Sequence, residues 1–189
     1  SFCEPCSNGT ASMTPGLATC SACLVGTYTN VTGSISCTDC PIGSYQSSPA
    51  RAECTLCPLG TYTDQPGQSI CLECGTGQFQ NTTGQTGCLA CEPGEYAPGL
   101  RASACLPCQP GTFTADRSRS QCTLCSGGTF TNYSHSTSCQ QCPKGTAQST
   151  PGSTNCTACP IGTFADLDGQ LICSSCPTGR FNNGTGKTQ

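Results

Sequence analysis

Cysteine dominates the chemistry that this sequence could perform. The chain has 189 residues, of which 22 are cysteine, and every cysteine belongs to a C-x-x-C pair. Two such pairs that converge can hold zinc through four thiolates. A single pair can exchange electrons, and cysteines of different pairs can also form structural disulfides. The spacing between the pairs helps to distinguish these three uses.

The pairs recur with a constant period of 17 residues. The first cysteine of each pair is residue 3, 20, 37, 54, 71, 88, 105, 122, 139, 156 or 173. We divide the chain into eleven repeats that begin at these residues and number positions within a repeat from its first cysteine. Residues 1–189 are predicted to form one continuous array, which we expect to be a fragment of a longer chain.

Glycine and aromatic residues keep fixed positions in the repeat. Position seven is glycine in all eleven repeats, and position nine is Tyr or Phe in nine of them. In the fourth repeat, Gly60 and Tyr62 share one face of an extended segment, and Thr61 and Thr63 share the other. Turn-forming residues 64–67 follow. Each repeat is therefore predicted to be a small β-hairpin, with the aromatic side chain as its miniature core.

Three disulfide schemes preserve the translational symmetry of the array. Each C-x-x-C could close on itself, the first cysteine could reach the second cysteine of the next repeat, or the second cysteine could pair with the first of the next repeat. We favour the third scheme, because it closes a span that coincides with the hairpin, where antiparallel strands lie at a separation that suits a disulfide. The chain has few large apolar residues, so a hydrophobic core can contribute little stability. The bridges of this scheme supply that stability covalently.

The favoured scheme predicts ten bridges and two cysteines whose partners lie outside this segment. Cys3 and Cys176 are those two, so we expect either that the natural protein continues in both directions or that chains join head to tail. The predicted bridges are Cys6/Cys20, Cys23/Cys37, Cys40/Cys54, Cys57/Cys71, Cys74/Cys88, Cys91/Cys105, Cys108/Cys122, Cys125/Cys139, Cys142/Cys156 and Cys159/Cys173.

Other chemistry is disfavoured by the sequence. A zinc array consumes two pairs per site, and no alternation over two repeats is visible. A thioredoxin-like motif opens a helix, which this pattern does not predict. The formal net charge of −3 and the absence of a basic patch argue against nucleic acid, and no apolar run is long enough for a membrane span. We expect no metal, no cofactor and no catalytic residue.

N-glycosylation sequons point to the secretory pathway. Six of the seven asparagines begin an N-x-S/T sequon, and four of these six occupy position eleven at intervals of 51 residues. We expect less glycan at Asn155, because Cys156 is the middle residue of its sequon. The predicted glycan sites are Asn8, Asn30, Asn81, Asn132 and Asn183, together with Asn155.

The repeat C-x-x-C-P-x-G-T-[YF]-[TS] resembles the tandem ephrin-receptor-like cysteine-rich repeat and is similar to the small modules of tumour necrosis factor receptor ectodomains. Cys57, Pro58, Gly60, Tyr62 and Cys71 carry this resemblance in the fourth repeat. It implies an extracellular, elongated array without enzymatic activity. Arrays of this kind occur in large surface proteins and in subunits of fibrous appendages.

Together these patterns predict a small, disulfide-rich, all-β fold, an elongated tandem array of eleven 17-residue disulfide-closed β-hairpins. The alternative fold is a β-solenoid with one coil per repeat. The predicted function is a structural rod in a glycosylated cell-surface or fibrous protein, with copies of itself or flanking repeats as partners, head to tail or laterally. The alternative function is the stalk of a receptor or adhesin, whose candidate contacts are Arg101 and residues 115–121.

Overall fold

The computed structural model describes residues 3–188. Ser1, Phe2 and Gln189, which belong to the predicted array, lie outside the described residues. The described chain consists of two-residue strands joined by turns, and it contains no helix. The strands are β1 Thr10–Ala11, β2 Ser21–Ala22, β3 Thr27–Tyr28, β4 Thr38–Asp39, β5 Ser44–Tyr45, β6 Thr55–Leu56, β7 Thr61–Tyr62, β8 Leu72–Glu73, β9 Gln78–Phe79, β10 Leu89–Ala90, β11 Glu95–Tyr96, β12 Leu106–Pro107, β13 Thr112–Phe113, β14 Thr123–Leu124, β15 Thr129–Phe130, β16 Gln140–Gln141, β17 Thr146–Ala147, β18 Thr157–Ala158, β19 Thr163–Phe164 and β20 Ser174–Ser175.

The strands pair in consecutive twos, β1 with β2, β3 with β4 and so on to β19 with β20, and each pair is an antiparallel hairpin, which confirms the small all-β fold. In the fourth repeat, Thr61 lies opposite Glu73 and Tyr62 lies opposite Leu72. The first strand therefore occupies positions eight and nine, and the second lies between the two cysteines of the following repeat. The β-solenoid alternative is wrong, because every sheet among residues 3–188 has two antiparallel strands from a single hairpin.

The described chain has ten hairpins, so the predicted number of eleven is wrong. The second strand of each hairpin lies in the C-x-x-C segment of the next repeat. The repeat that begins at Cys173 has no such segment after it in this sequence, and its Arg180 and Phe181 form no strand. The physical reason is thus that a hairpin belongs to two successive repeats, not to one.

The chain divides into two compact parts. One consists of residues up to Ala90 together with Gly99–Ala104, and the other of Cys91–Pro98 together with residues from Cys105 onward. The first part contains the hairpins from β1–β2 to β9–β10, and the second contains those from β11–β12 to β19–β20. The same local contacts recur inside each part, as described below.

The buried core is made of sulfur and small polar side chains, not of aromatic rings. The second cysteine of each pair from Cys23 to Cys159 is at most 1% exposed, and Thr63, at position ten, is fully buried. Tyr62 and its counterparts are only half-buried, and Phe181 is 85% exposed. The predicted aromatic core is therefore wrong, because the rings lie at the margin of a core that disulfides fill.

Candidate functional site

Ten disulfides close the hairpins. Each joins the second cysteine of one repeat to the first cysteine of the next, with 14 residues of sequence separation and Cα atoms 5.6–5.8 Å apart. The structure thus places the two cysteines of every pair given above at bonding distance. Of the cysteines, all of which lie within the described residues, Cys3 and Cys176 are unbridged.

A tight turn follows each C-x-x-C pair and explains the glycine at position seven. In the fourth repeat, the Thr61 amide donates to the Pro58 carbonyl at 3.1 Å, and the Thr61 hydroxyl donates to the same oxygen at 2.7 Å. Gly60, the third residue of this turn, has a φ of 74°. A type II turn needs a positive φ at that place, which glycine adopts without steric cost.

The same glycine is also the point where three successive repeats meet. The Gly60 amide donates to the Gln80 carbonyl at 2.8 Å, and the Gly60 carbonyl accepts from the Cys74 amide at 2.9 Å. A Cβ atom on Gly60 would lie 2.1 Å from the carbonyl oxygen of Arg101, two repeats further along. Glycine is therefore required at position seven both by its φ and by the close approach of another backbone.

This close approach recurs in both compact parts. The position-seven glycines Gly43 and Gly111 meet the carbonyl oxygens of Gly84 and Gly152 in the same way, each at 2.1 Å from the hypothetical Cβ. In contrast, a Cβ atom on Gly162 would have no neighbour within 4 Å, although its φ is 80°. At position 162, glycine is therefore required by the turn but not by packing against another repeat.

Position fourteen has a positive φ in every repeat. Glycine occupies it in seven repeats, and the exceptions are Ala50, Arg101, Ser118 and His135, with φ between 56° and 60°. In each of these four, the amide donates to the main-chain carbonyl of the second cysteine of the preceding repeat. The bond from the Ala50 amide to the Cys23 carbonyl, for example, is 2.8 Å long. The left-handed backbone is therefore imposed by the contact between repeats even where the side chain does not favour it.

Glutamine side chains at position ten hold the loop that follows the first strand, a role that the sequence analysis missed. Gln80, which is 4% exposed, donates from Nε2 to the Gly87 carbonyl at 2.8 Å. Its Oε1 accepts from the Thr82 amide at 3.1 Å. Gln46 makes the equivalent bonds to Glu53 and Ser48. The available signal was that position ten never carries a charge in any repeat.

Asn182, the one asparagine that lies outside a sequon, has a structural role. It occupies position ten of the last repeat, where its Oδ1 accepts from the Gly162 amide at 2.8 Å. Its Nδ2 donates to the Thr163 carbonyl at 2.8 Å. Elsewhere, as from Gly60 to Gln80, the amide of the position-seven glycine donates to the main-chain carbonyl at position ten of the next repeat. The side-chain carbonyl of Asn182 takes the place of that main-chain carbonyl.

We expect Gln80→Ala to free the loop of residues 81–87. The substitution removes both side-chain hydrogen bonds of Gln80, to the Gly87 carbonyl and from the Thr82 amide, each worth about 1 kcal/mol. Limited proteolysis should cleave the variant within this loop faster than the parent protein. The matched control is Gln85→Ala in the same loop, because the side-chain bond from Gln85 to the Thr83 carbonyl is long and exposed, at 3.5 Å. Equal cleavage of the two variants would contradict the assigned role.

All six predicted glycan sites are exposed. Asn30, Asn81, Asn132 and Asn183 lie in the loops that follow a position-ten residue, and Asn8 lies in the turn before β1. Asn155 is also exposed, but its carbonyl accepts from Gln148 Nε2 at 3.1 Å, and the next residue, Cys156, is bridged to Cys142. Exposure makes glycan attachment sterically possible at all six sites.

Three arginines that could contact a ligand form ion pairs, two of them between repeats, and His135 lies near a carboxylate of another repeat. Arg101 lies 3.7 Å from Glu73 in the first compact part. In the second part, Arg117 lies 2.9 Å from Glu92, His135 lies 3.6 Å from Glu95, and Arg119 pairs with Asp116. The side chains of Arg101, Arg117, Arg119 and His135 are each more than half exposed. Exposed ion pairs of this kind contribute little stability, so they are not required for the fold.

Comparison with protein families gives one match that covers most of the chain. The family described as tyrosine-protein kinase ephrin type A/B receptor-like matches six times, over residues 9–52, 26–70, 43–88, 94–142, 115–155 and 145–189. The chain belongs to this family. Each matched window of the ephrin-receptor-like family is longer than two 17-residue repeats, so several of the windows overlap. A search of curated protein sequences finds no significant match.

These ephrin-receptor-like repeats, with their disulfides in series, fit an extracellular or secreted protein. Among residues 3–188, no three His, Cys, Asp or Glu side chains gather in a way that could hold a metal ion. The described residues also include no helix of the length and apolarity needed to cross a membrane.

Proposed function

We propose that this chain is a structural segment of a glycosylated extracellular protein, at the cell surface or in a fibrous appendage. The observation that carries the proposal is the uniform contact between repeats. The position-seven glycine packs on the backbone two repeats further along in eight of the eleven repeats, with distances of 2.1–2.3 Å to the added Cβ. The repeat length is also constant, whereas binding proteins tend to vary the loops that contact their ligand.

The proposed partners are other repeats of the same kind, either flanking repeats of a longer chain or other copies joined head to tail or laterally. Cys3 is exposed and Cys176 is half-buried, and both keep the register of the bridged cysteines. A cysteine at position one of another repeat would meet Cys176 as Cys173 meets Cys159. The continuity of residues 1–189 as one array is part of this proposal. The array needs no cofactor and catalyses no reaction under this proposal.

Extraction of the native protein tests the structural role. Cell-surface material of the source organism is washed with high salt and nonionic detergent and then treated with reductant, and the chain is followed with an antibody. A structural segment is expected to stay in the insoluble fraction until its intermolecular disulfides are reduced. Complete release by detergent alone, without reductant, would contradict the structural role and favour a receptor.

Glycan attachment is expected at the position-eleven asparagines and at Asn8. The chain is produced through a eukaryotic secretory pathway and treated with peptide N-glycosidase F, which converts each glycosylated asparagine to aspartate, and peptides are then examined by mass spectrometry. Conversion is expected, to a smaller extent at Asn155 than at the others, at Asn8, Asn30, Asn81, Asn132, Asn183 and Asn155. Asn182 is the internal control beside Asn183, because it lies outside a sequon and its side chain is hydrogen-bonded. Unconverted asparagines throughout would refute this proposal.

A second candidate function rests on the ion pairs of the second compact part. Glu92 and Arg117 place charges of opposite sign at the exposed surface of successive repeats, and His135 lies 3.6 Å from Glu95 of strand β11. We propose a ligand-binding stalk as the alternative for this reason alone. Charge reversal at Arg117 and Glu92 together would preserve their pairing and abolish binding to a charged partner, while leaving a purely structural array unaffected.

A further inference from the structure

The covalent path along the array does not follow the backbone. In the fourth repeat, the bridge from Cys57 to Cys71 joins residues separated by 14 in sequence across 5.8 Å. Cys74, which opens the next bridge, is three residues after Cys71. A pulling force that reaches Cys57 therefore passes through the bridge to Cys71, and the chain between these two cysteines carries no load.

The bridges lie in series and never overlap. Each spans from position four of one repeat to position one of the next, so one bridge ends before the following one begins. The load path is therefore the same in every repeat from Cys6 to Cys173. Both alternative pairing schemes would lack this property, because bridges within a C-x-x-C pair bypass only two residues and bridges of longer span would interlock.

The non-covalent contacts of a repeat are weak compared with its covalent disulfide bridge. Each hairpin has two residues per strand, and its contacts with neighbouring repeats include a few hydrogen bonds, such as those from Gly67 to Cys40 and from Gly60 to Gln80. A two-stranded hairpin of this size is marginally stable on its own. Under tension the hydrogen bonds are expected to break before the disulfides, which then hold the chain.

We propose that the disulfides set the maximum length of this array under tension, so that it acts as a tether of limited extension. The inference rests on the proposed structural role. With the bridges intact, one repeat can extend to about 16 Å, which is the bridge and three residues at about 3.4 Å each. Without the bridge, the 17 residues of a repeat extend to about 58 Å.

Reduction of a bridge therefore releases stored length. Each disulfide that takes up two electrons and two protons becomes two thiols, and the loop that it closed adds about 42 Å to the extensible chain. In the test below the electrons come from a water-soluble phosphine, which becomes a phosphine oxide with oxygen from water. No change in the amino-acid sequence is needed for this lengthening.

Single-molecule stretching of the full chain between handles at its two termini tests the proposal. At high force the oxidised chain should reach a contour length of about 220 Å, and the phosphine-reduced chain about 640 Å. The double variant Cys57→Ser/Cys71→Ser should add about 42 Å to the oxidised length. The matched control, Cys3→Ser/Cys176→Ser, also removes two cysteines but no bridge, and should add nothing.

Two outcomes would overturn the proposal. Bridges within the C-x-x-C pairs would let the oxidised chain extend to about 590 Å, close to the reduced length. An unchanged length in the Cys57→Ser/Cys71→Ser variant would show that this bridge carries no load. The measurement reads the length of a stretched chain, so it does not require the variant to fold. A chain with the expected limit that detergent alone releases from the cell surface would retain this inference and lose the proposed structural role.

Discussion

Replacing Cys57 and Cys71 together by serine is expected to open one hairpin and to leave distant hairpins intact. Loss of a bridge that closes a loop of this size costs about 3 kcal/mol in the chain-entropy model. Amide hydrogen exchange measured by NMR should accelerate about 100-fold at Gly60, whose amide bonds to the next hairpin, and at Cys74, whose amide bonds to the Gly60 carbonyl across this hairpin. Cooperativity in repeat arrays is between nearest neighbours, so the effect should fade along the chain.

The control for this experiment is Cys3→Ser/Cys176→Ser, which removes two unbridged cysteines. Its exchange rates at Gly60 and Cys74 should equal those of the parent protein. If the Cys57→Ser/Cys71→Ser variant also kept the parent rates, the bridge would not be the element that stabilises the hairpin. Uniform acceleration over all repeats would instead indicate that the whole array unfolds as one unit.

The substitution Gly111→Ala is expected to be far more destabilising than Gly162→Ala. Both glycines have a φ of 80–85°, so alanine at either site costs about 1–2 kcal/mol in backbone strain. Only at Gly111 would the new Cβ lie 2.1 Å from a backbone oxygen, that of Gly152. Relief of this overlap requires the two repeats to separate, which adds about 1–3 kcal/mol.

Gly162→Ala serves as the matched control because it changes the same turn position within the same compact part. The difference between the two variants isolates the contact between alternate repeats. Amide exchange at Gly152, which donates to Cys125 at 2.8 Å, should report this contact directly. Equal destabilisation by the two substitutions would mean that turn strain alone accounts for the glycine at position seven.

The sequence predicts the hairpins well because their determinants are local. The type II turn requires glycine at position seven, and the fixed register of the cysteines limits the bridges to a few symmetric schemes. The number of hairpins was wrong because the pairing of Tyr62 with Leu72 crosses from one repeat to the next. Nothing within a single repeat indicates that its second strand comes from the following C-x-x-C segment.

The core and the contacts between repeats could not be predicted, because they depend on how repeats stack. Period-two alternation placed Thr61 and Thr63 on one face of the strand, but hydropathy made the opposite face, with Tyr62, the expected core. In the structure Thr63 is fully buried, and the Gly43 amide donates to its Oγ1 at 2.8 Å. A hydroxyl can be buried there because a neighbouring repeat supplies its hydrogen bond.

The central claim is that cysteines of neighbouring repeats pair to close each hairpin, and the most direct test is a disulfide map of the unreduced native protein. Thermolysin, which cleaves before large apolar residues, can separate Cys54 from Cys57 at Leu56 and Cys71 from Cys74 at Leu72. Both leucines are exposed. We predict that mass spectrometry finds a peptide that contains Cys57 linked to one that contains Cys71. Peptides that link Cys54 to Cys57 instead, or alkylation of Cys57 and Cys71 without reduction, would contradict the account.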